Sequence, residues 1–305
     1  MRFLIILLCI WLSSISASAQ TQIKLSIQPN DHIVFIGNTF AERMQHFGYF
    51  ETLFHLQYPE SKLQFRNMGW SADEPQLQPR PLHFGSLHEH LTNARADVIF
   101  LCFGMNESYQ GERGLATYIQ NLQTYIRDLK SKKFNGITSP RLVLVSPIAH
   151  EKIAKLRLDP TMHNQQLQQY TASMKQLALQ ENIPFINLFD ESQELFTADQ
   201  QDYTINGIHL TDDGYQQVAI MMMNKLQLAN QEAADWKILQ KLRALIVEKN
   251  RQFFFRWRPV NSEYIFGRRK EPFGVENFPG EMEMIDQILE DLDQQIWSTV
   301  SALKS

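Results

Sequence analysis

The chain reads as an α/β protein: a three-layer αβα sandwich around a parallel sheet of about five strands, with a helical C-terminal extension. Three observations predict this class. Short apolar runs alternate with longer amphipathic stretches, in a β-α-β rhythm. The runs are too uniformly apolar for strands with one wet face, so helices must cover both sides of the sheet. The first run, ending at Ile36, leads straight into Gly37 and then a side-chain hydroxyl at Thr39. That is the order of a strand delivering a loop to the C-terminal edge of a parallel sheet, where doubly wound folds bind their ligands.

The strands expected in order are Ile33–Ile36, Leu63–Asn67, Val98–Phe103, Leu142–Ser146 and Phe185–Asn187. Between them Phe40–Tyr58, Gly114–Lys132 and Thr161–Asn182 carry apolar residues at helical spacing. Asn182-Ile183-Pro184 stops the third helix and starts the last strand. A closing helix begins near Thr211-Asp212-Asp213-Gly214-Tyr215, with Thr211 as its N-cap. Residues 20–228 thus form one α/β domain and residues 229–305 an extension packed on it, since no low-complexity linker separates them. In the extension, Glu232–Asn250 and Glu281–Leu303 read as helices. The segment Phe253-Phe254-Phe255-Arg256-Trp257-Arg258 reads either as an arginine-framed anchor against the core or as a surface for polyanions or sugar rings.

With 305 residues, 44% apolar and 20% charged, the chain is long enough for one large core or two smaller ones. Residues 1–19 have the pattern of a signal peptide. A charged start, Met1-Arg2, precedes the apolar run Phe3–Leu12, and Ala17-Ser18-Ala19 supplies the small residues that precede a cleavage site. Export, periplasmic or secreted, is therefore expected. The apolar run is too short for a comfortable span, and no later window reaches about 18 apolar residues, so no membrane span is expected in the mature chain. Cleavage removes Cys9 and leaves Cys102 alone, which precludes an internal disulfide and puts stability on the core. Net charge moves from −4 to −5 on losing Arg2 (28 basic against 33 acidic), an acidity that argues against nucleic acid as partner.

Four short blocks carry the chemistry. They are Gly37-Asn38-Thr39, Asn67-Met68-Gly69-Trp70-Ser71, Phe103-Gly104-Met105-Asn106-Glu107-Ser108 and Asn206-Gly207-Ile208-His209. Over roughly residues 30–228 their order and spacing resemble the SGNH hydrolases, the GDSL-type esterases and lipases. The resemblance implies an SGNH, flavodoxin-like sheet and a hydrolase of carboxylic esters, working without cofactor or metal on a small-molecule or carbohydrate ester. It places Thr39 as nucleophile, His209 as general base and Asn206 as the residue orienting it. Thr39, Gly69 and Asn106 are implied as oxyanion donors. Three positions depart from the family pattern: Thr39 stands for its serine, Asn206 for its triad aspartate, and Asn38 for the aspartate before the nucleophile.

Each departure has chemical content. Threonine's extra methyl stiffens χ1 and crowds attack, and Thr39 could instead cap the helix that follows. Asparagine at 206 can accept from the imidazole Nδ1–H through its amide oxygen but adds no negative charge. Asp202, Asp212 and Asp213 are the nearby carboxylates that could substitute. Glu107 follows Asn106 and is expected to tie down its loop. Ser71, Ser108 and Ser146, near strand ends, are alternative nucleophiles. His83, His88, Glu89 and His90 cluster too, but as a solvated loop rather than a metal site, since no matching ligand set accompanies them. Two non-catalytic readings stand beside the esterase: a domain that keeps the pocket to bind a glycan or other ligand, and an envelope interaction domain using the extension. Oligomeric state is not readable from the sequence. N-terminal sequencing of exported protein should return Gln20 as the first residue, and a chain still beginning at Met1 would place it in the cytoplasm.

Overall fold

The computed structural model describes residues 23–304 except 82, 199–200, 229–233, 260–261 and 266; the signal segment lies outside the described residues. Five strands form one sheet: β1 (His32–Gly37), β2 (Gln64–Asn67), β3 (Val98–Cys102), β4 (Arg141–Val145) and β5 (Phe185–Ile186). The helices are α1 (Thr39–Met44), α2 (Tyr49–Gln57), α3 (Leu87–Asn93), α4 (Met105–Ser108), α5 (Glu112–Lys130) and α6 (Thr161–Gln180). They continue as α7 (Leu188–Ala198), α8 (Asp212–Lys225), α9 (Trp236–Trp257), α10 (Ser262–Ile265) and α11 (Phe273–Lys304). Every strand pair is parallel, in the order β2-β1-β3-β4-β5.

Alternation of side chains along each strand divides the core in two. Ile33 and Phe35, Val98 and Phe100, Val143 and Val145 face one side, against Phe50, Leu53 and Phe54 of α2 and Val218 and Met222 of α8. Val34 and Ile36, Ile99 and Leu101, Leu142 and Leu144 face the other, against Leu122 and Ile126 of α5 and Tyr170 and Met174 of α6. Burial on both faces explains why the strands read as unbroken apolar runs.

The expected helix over Phe40–Tyr58 is two helices. Gly48 takes a left-handed conformation (φ 69°) and separates α1 from α2, letting the chain turn from the sheet edge onto its face. The histidine-rich segment expected as a solvated loop is helix α3. Ser86 and Glu89 close a capping box at its start, and the one buried residue, Leu91, pins it to the sheet. His88 pairs with Asp128 and His90 contacts the Phe84 carbonyl. Among the described residues no helix is long and apolar enough to cross a membrane.

In the extension, α9 and α11 pack on each other through Leu242, Ile246, Ile296 and Val300. The aromatic-arginine segment is an anchor: Trp257 and Phe253 enter the core on the α5 side, and Arg256 pairs with Asp286 of α11. A buried polar contact completes the attachment. Lys249 of α9, fully buried, donates to Glu51 of α2, to the Phe65 carbonyl of β2 (3.1 Å) and to Asn250 Oδ1 (2.8 Å). Three acceptors match the three N–H groups of an ammonium. Burial opposes the charge on Glu51, but the Lys249 ammonium and His55 together outweigh it and hold the carboxyl down to about 2. Removing one partner of such a pair strands the other, at a cost of roughly 3–5 kcal/mol. Chemical denaturation should therefore show Lys249→Ala destabilised by about that amount, with Glu51→Leu/Lys249→Met losing much less. Because the Glu51 carboxyl is depressed, its contribution is complete above its ordinary value of 4.5 and fades as pH falls toward 2.

Candidate active site

Strand order reverses direction between β1 and β3, and the crevice beyond the C-terminal ends of those two strands is where this topology binds ligands. The first block sits there because Gly37 permits it. Gly37 has φ +141°, and a Cβ would lie 2.1 Å from the Cys102 carbonyl oxygen of β3. Only glycine lets the two strand ends approach so closely. Asn38 N–H then donates to that same carbonyl (3.1 Å), and α1 starts at Thr39.

Asn38, not Thr39, is the N-cap of α1: its Oδ1 accepts from Phe40 N–H at 3.1 Å. The half-buried Thr39 occupies the first helical position. Among the described residues its hydroxyl and its N–H have no hydrogen-bond partner.

One pocket is lined by Asn38, Thr39, Phe40, Cys102, Met105, Asn106, Ser146, Ile148, Ile208 and His209, among others. Thr39, Asn106 and His209 thus share a wall, brought there by the ends of β1 and β3 and by the loop before α8. The free interior is about 30 Å³, more than the ~10–15 Å³ that one water needs but small for a ligand. Cys102 faces this space, its thiol pushed up by burial and inert.

Gly69 stands apart. It does not line the pocket, and its N–H donates to Asn67 Oδ1 at 2.9 Å. The oxyanion donation expected of it is absent from this geometry because the Asn67 side chain, anchored to the Ala41 carbonyl (2.6 Å), occupies that N–H. The glycine is required for another reason: a Cβ at 69 would lie 2.4 Å from the Glu42 nitrogen, so the second block packs directly on α1. Two donors remain on the pocket wall, Thr39 N–H and Asn106 Nδ2, the latter making one long contact to the Asp73 carbonyl (3.4 Å). Glu107 holds the Asn106 turn by accepting from Gly104 N–H (2.9 Å), and burial raises its carboxyl to about 8.

Asn206 reaches His209, but with the opposite end of its amide from the one expected. Its Oδ1 accepts from the backbone N–H groups of Ile208 (3.3 Å) and His209 (3.0 Å), which turns Nδ2 toward His209 Nδ1 at 2.9 Å. An amide nitrogen donates, so Nδ1 is the acceptor and the ring proton resides on Nε2. Burial and the positive charge of Arg43 both hold the imidazole below its ordinary value. Among the described residues no carboxylate takes the missing aspartate's place beside His209. Asp212 accepts from Tyr49 Oη (2.7 Å) and faces Arg243, and Asp213 accepts from Gln201 (2.7 Å).

The alternative serines are engaged. Ser146 Oγ accepts from Leu188 and Phe189 N–H at the start of α7, Ser108 is fully buried, and Ser71 donates to Glu42. The neighbours of Glu42 were not foreseen from the sequence. Arg258 of the extension pairs with Glu42 (2.6 Å) and lies 3.7 Å from the centre of the Trp70 ring; Arg80 lies 4.3 Å from the same centre and pairs with Asp73. The extension therefore braces the turn whose Asp73 carbonyl meets Asn106.

A model of the GDSL-like lipase/acylhydrolase family matches residues 46–217, more than half of the chain, and the protein belongs to that family. The matched span includes Gly69, Asn106, Asn206 and His209 and begins after Thr39. Membership and fold together support a hydrolase of ester bonds. No curated protein sequence matches the chain significantly. Among solved structures, a gut microbial diltiazem-metabolizing enzyme superposes with a TM-score of 0.54 at 18% identity, over 68% of this chain and 49% of its own. This chain thus spans about half the length of that protein. A GDSL-like protein from Parabacteroides merdae gives 0.55 at 18% identity, over 68% and 100%. A catalytic mutant of an acetylxylan esterase from Geobacillus stearothermophilus gives 0.52 at 17%, over 67% and 98%.

The tautomer can be measured. Nitrogen-detected NMR should find His209 protonated on Nε2 when neutral, with a pKa below 6.5. Asn206→Asp should move the proton to Nδ1 and raise that pKa. An Nδ1–H ring in the parent would overturn the amide orientation.

Proposed function

We propose that the protein removes a short acyl group, of about acetyl size, from a carbohydrate hydroxyl, and that it does so outside the cytoplasm once residues 1–19 are removed. The observation that carries this reading is the single pocket shared by Thr39, Asn106 and His209, in which the Thr39 hydroxyl is uncommitted. The small interior favours a short acyl group over a long one. The acetylxylan esterase among the structural neighbours lends support to an acetylated carbohydrate, on the strength of fold alone.

In this reading Thr39 Oγ1 attacks the ester carbonyl as His209 Nε2 takes its proton. Thr39 N–H and Asn106 Nδ2 hold the developing oxyanion. The alcohol leaves with the proton from His209, and water then releases the acyl group from Thr39. The base must expose a lone pair at Nε2, so the reacting form is the tautomer that the Asn206 amide disfavours. In serine proteases an Asp-to-Asn change at this position lowers kcat by about 10⁴. Turnover by this chain is accordingly slow, limited by that tautomer and by the threonine methyl.

The tautomer also favours a second reading, a domain that retains the pocket to bind an acylated ligand without turnover. Short-chain acyl esters assayed on five proteins separate the two. For a hydrolase, Thr39→Ala abolishes turnover, Thr39→Ser keeps or raises it, Asn206→Asp raises it, and Asn106→Ala lowers it by about 10²–10³-fold as for loss of an oxyanion donor. Equal activity in parent and Thr39→Ala would remove Thr39 from the mechanism. A binding domain shows no turnover in the parent and an affinity that survives Thr39→Ala but falls on Asn106→Ala.

A further inference from the structure

Beside the pocket lies a chain of rings that the proposed reaction does not use. Ser108, on the same short helix as Asn106, donates its one hydroxyl proton to the Met105 carbonyl (2.7 Å). Its oxygen must therefore accept from His163 Nε2–H at 2.8 Å. That leaves a lone pair on His163 Nδ1, which accepts from His150 Nδ1–H at 2.9 Å. His150 is clamped in turn by Asn164, which accepts from its N–H (2.7 Å) and donates to its carbonyl (2.8 Å). Burial and the neighbouring His150 push His163 down to about 4, so the stack carries no charge near neutral pH.

This network immobilises one imidazole face, and on that face lies Tyr109. The two rings stack with centroids 4.0 Å apart at 20°. Tyr109 is nevertheless 55% exposed. With one ring face on His163, more than half of the residue still meets solvent. Tyr109 continues α4 in helical conformation (φ −65°, ψ −15°), three residues after Asn106. Residues three apart on a helix share a side, with Cβ atoms about 5–6 Å apart. Tyr109 does not itself line the pocket, but it stands on the side of α4 that carries Asn106.

We infer that Tyr109, backed by the Ser108–His163–His150 network, is a stacking subsite for a neutral sugar ring, the alcohol part of the ester whose acyl group enters the pocket. A pyranose sets C–H groups against the aromatic face while its hydroxyls stay in water, which suits a half-wet rim. An alkyl chain would seek the enclosed apolar wall formed by Phe40, Met105, Ile148 and Ile208 instead. An uncharged backing suits an uncharged ligand, and a tyrosine already immobilised loses little side-chain freedom when it binds one.

The inference rests on the carbohydrate-ester reading, yet the two can fail separately. The test is titration of the full mature chain with xylotetraose, mannotetraose and cellotetraose, followed by NMR and calorimetry. At least one should bind the parent, about tenfold more weakly to Tyr109→Ala, the loss expected for one aromatic contact. Tyr109→Phe and Tyr109→Trp should bind like the parent, a rescue that a merely structural hydroxyl or packing role would not give. If the chain turns over esters, kcat/KM for acetylated oligosaccharides should fall in Tyr109→Ala through KM, with kcat little changed. Oligosaccharide binding without turnover would uphold the subsite and defeat the hydrolase. Turnover of simple esters with no tetrasaccharide bound would defeat the subsite and leave the hydrolase standing. Undiminished binding by Tyr109→Ala, or a fall in kcat rather than KM, would also overturn it.

Discussion

The geometry of the site depends on one close approach, that of Gly37 to the Cys102 carbonyl. Two neighbouring parallel strands end side by side, and the chain leaving β1 must cross the top of β3 with no room for a side chain. The Cys102 carbonyl, having no further strand residue to pair with, accepts from Asn38. Asn38 can then cap α1, and capping by Asn38 leaves the Thr39 hydroxyl uncommitted at the crevice. A side chain at 37 would separate the strand ends, and the Thr39 and Asn106 blocks would part with them.

What the sequence revealed and what it hid follow from the range of the forces involved. The strands stood out because both sheet faces are covered, making them apolar throughout, and each observed strand lies within about a residue of its expected bounds. The four blocks stood out by their order and spacing, and in two of them the glycine, Gly37 or Gly69, meets a close approach that no other residue could. The break at Gly48 was hidden because α1 and α2 continue one apolar rhythm, and α3 was hidden because a seven-residue helix with one buried residue has no periodicity to read. The direction of the Asn206 amide was out of reach altogether. It is decided by two backbone N–H groups of a turn, and the side chain's identity says nothing about which end they hold.

Electrostatically the candidate site is unusual for an acyl-transfer centre. The charge acting on the imidazole is a cation, Arg43, and the nearby carboxylates of Asp212 and Asp213 are turned to other partners. Among the described residues no anion is placed to stabilise an imidazolium there. The hydrogen-bonding frame around the pocket is nonetheless intact, from the Glu107 contact that sets the Asn106 turn to the Arg258 and Arg80 contacts that brace the Trp70 turn. The side chains that shape the pocket wall are thus held by hydrogen bonds and ion pairs, while the imidazole meets only a cation and an amide.

The welding of α9 through Lys249 has a consequence for how the chain can be handled. By sequence, residues 20–228 form the α/β domain that carries every candidate residue of the pocket, with the extension packed on it. Cut from the extension, the domain would keep Glu51 with no ammonium beside it, and Phe253 and Trp257 would leave the core on the α5 side open. It would also lose Arg258 from the turn beside Asn106. A cut at the boundary visible in the sequence would therefore expose core and strand a buried carboxylate, and an inert fragment would report on those losses as much as on the chemistry of the pocket.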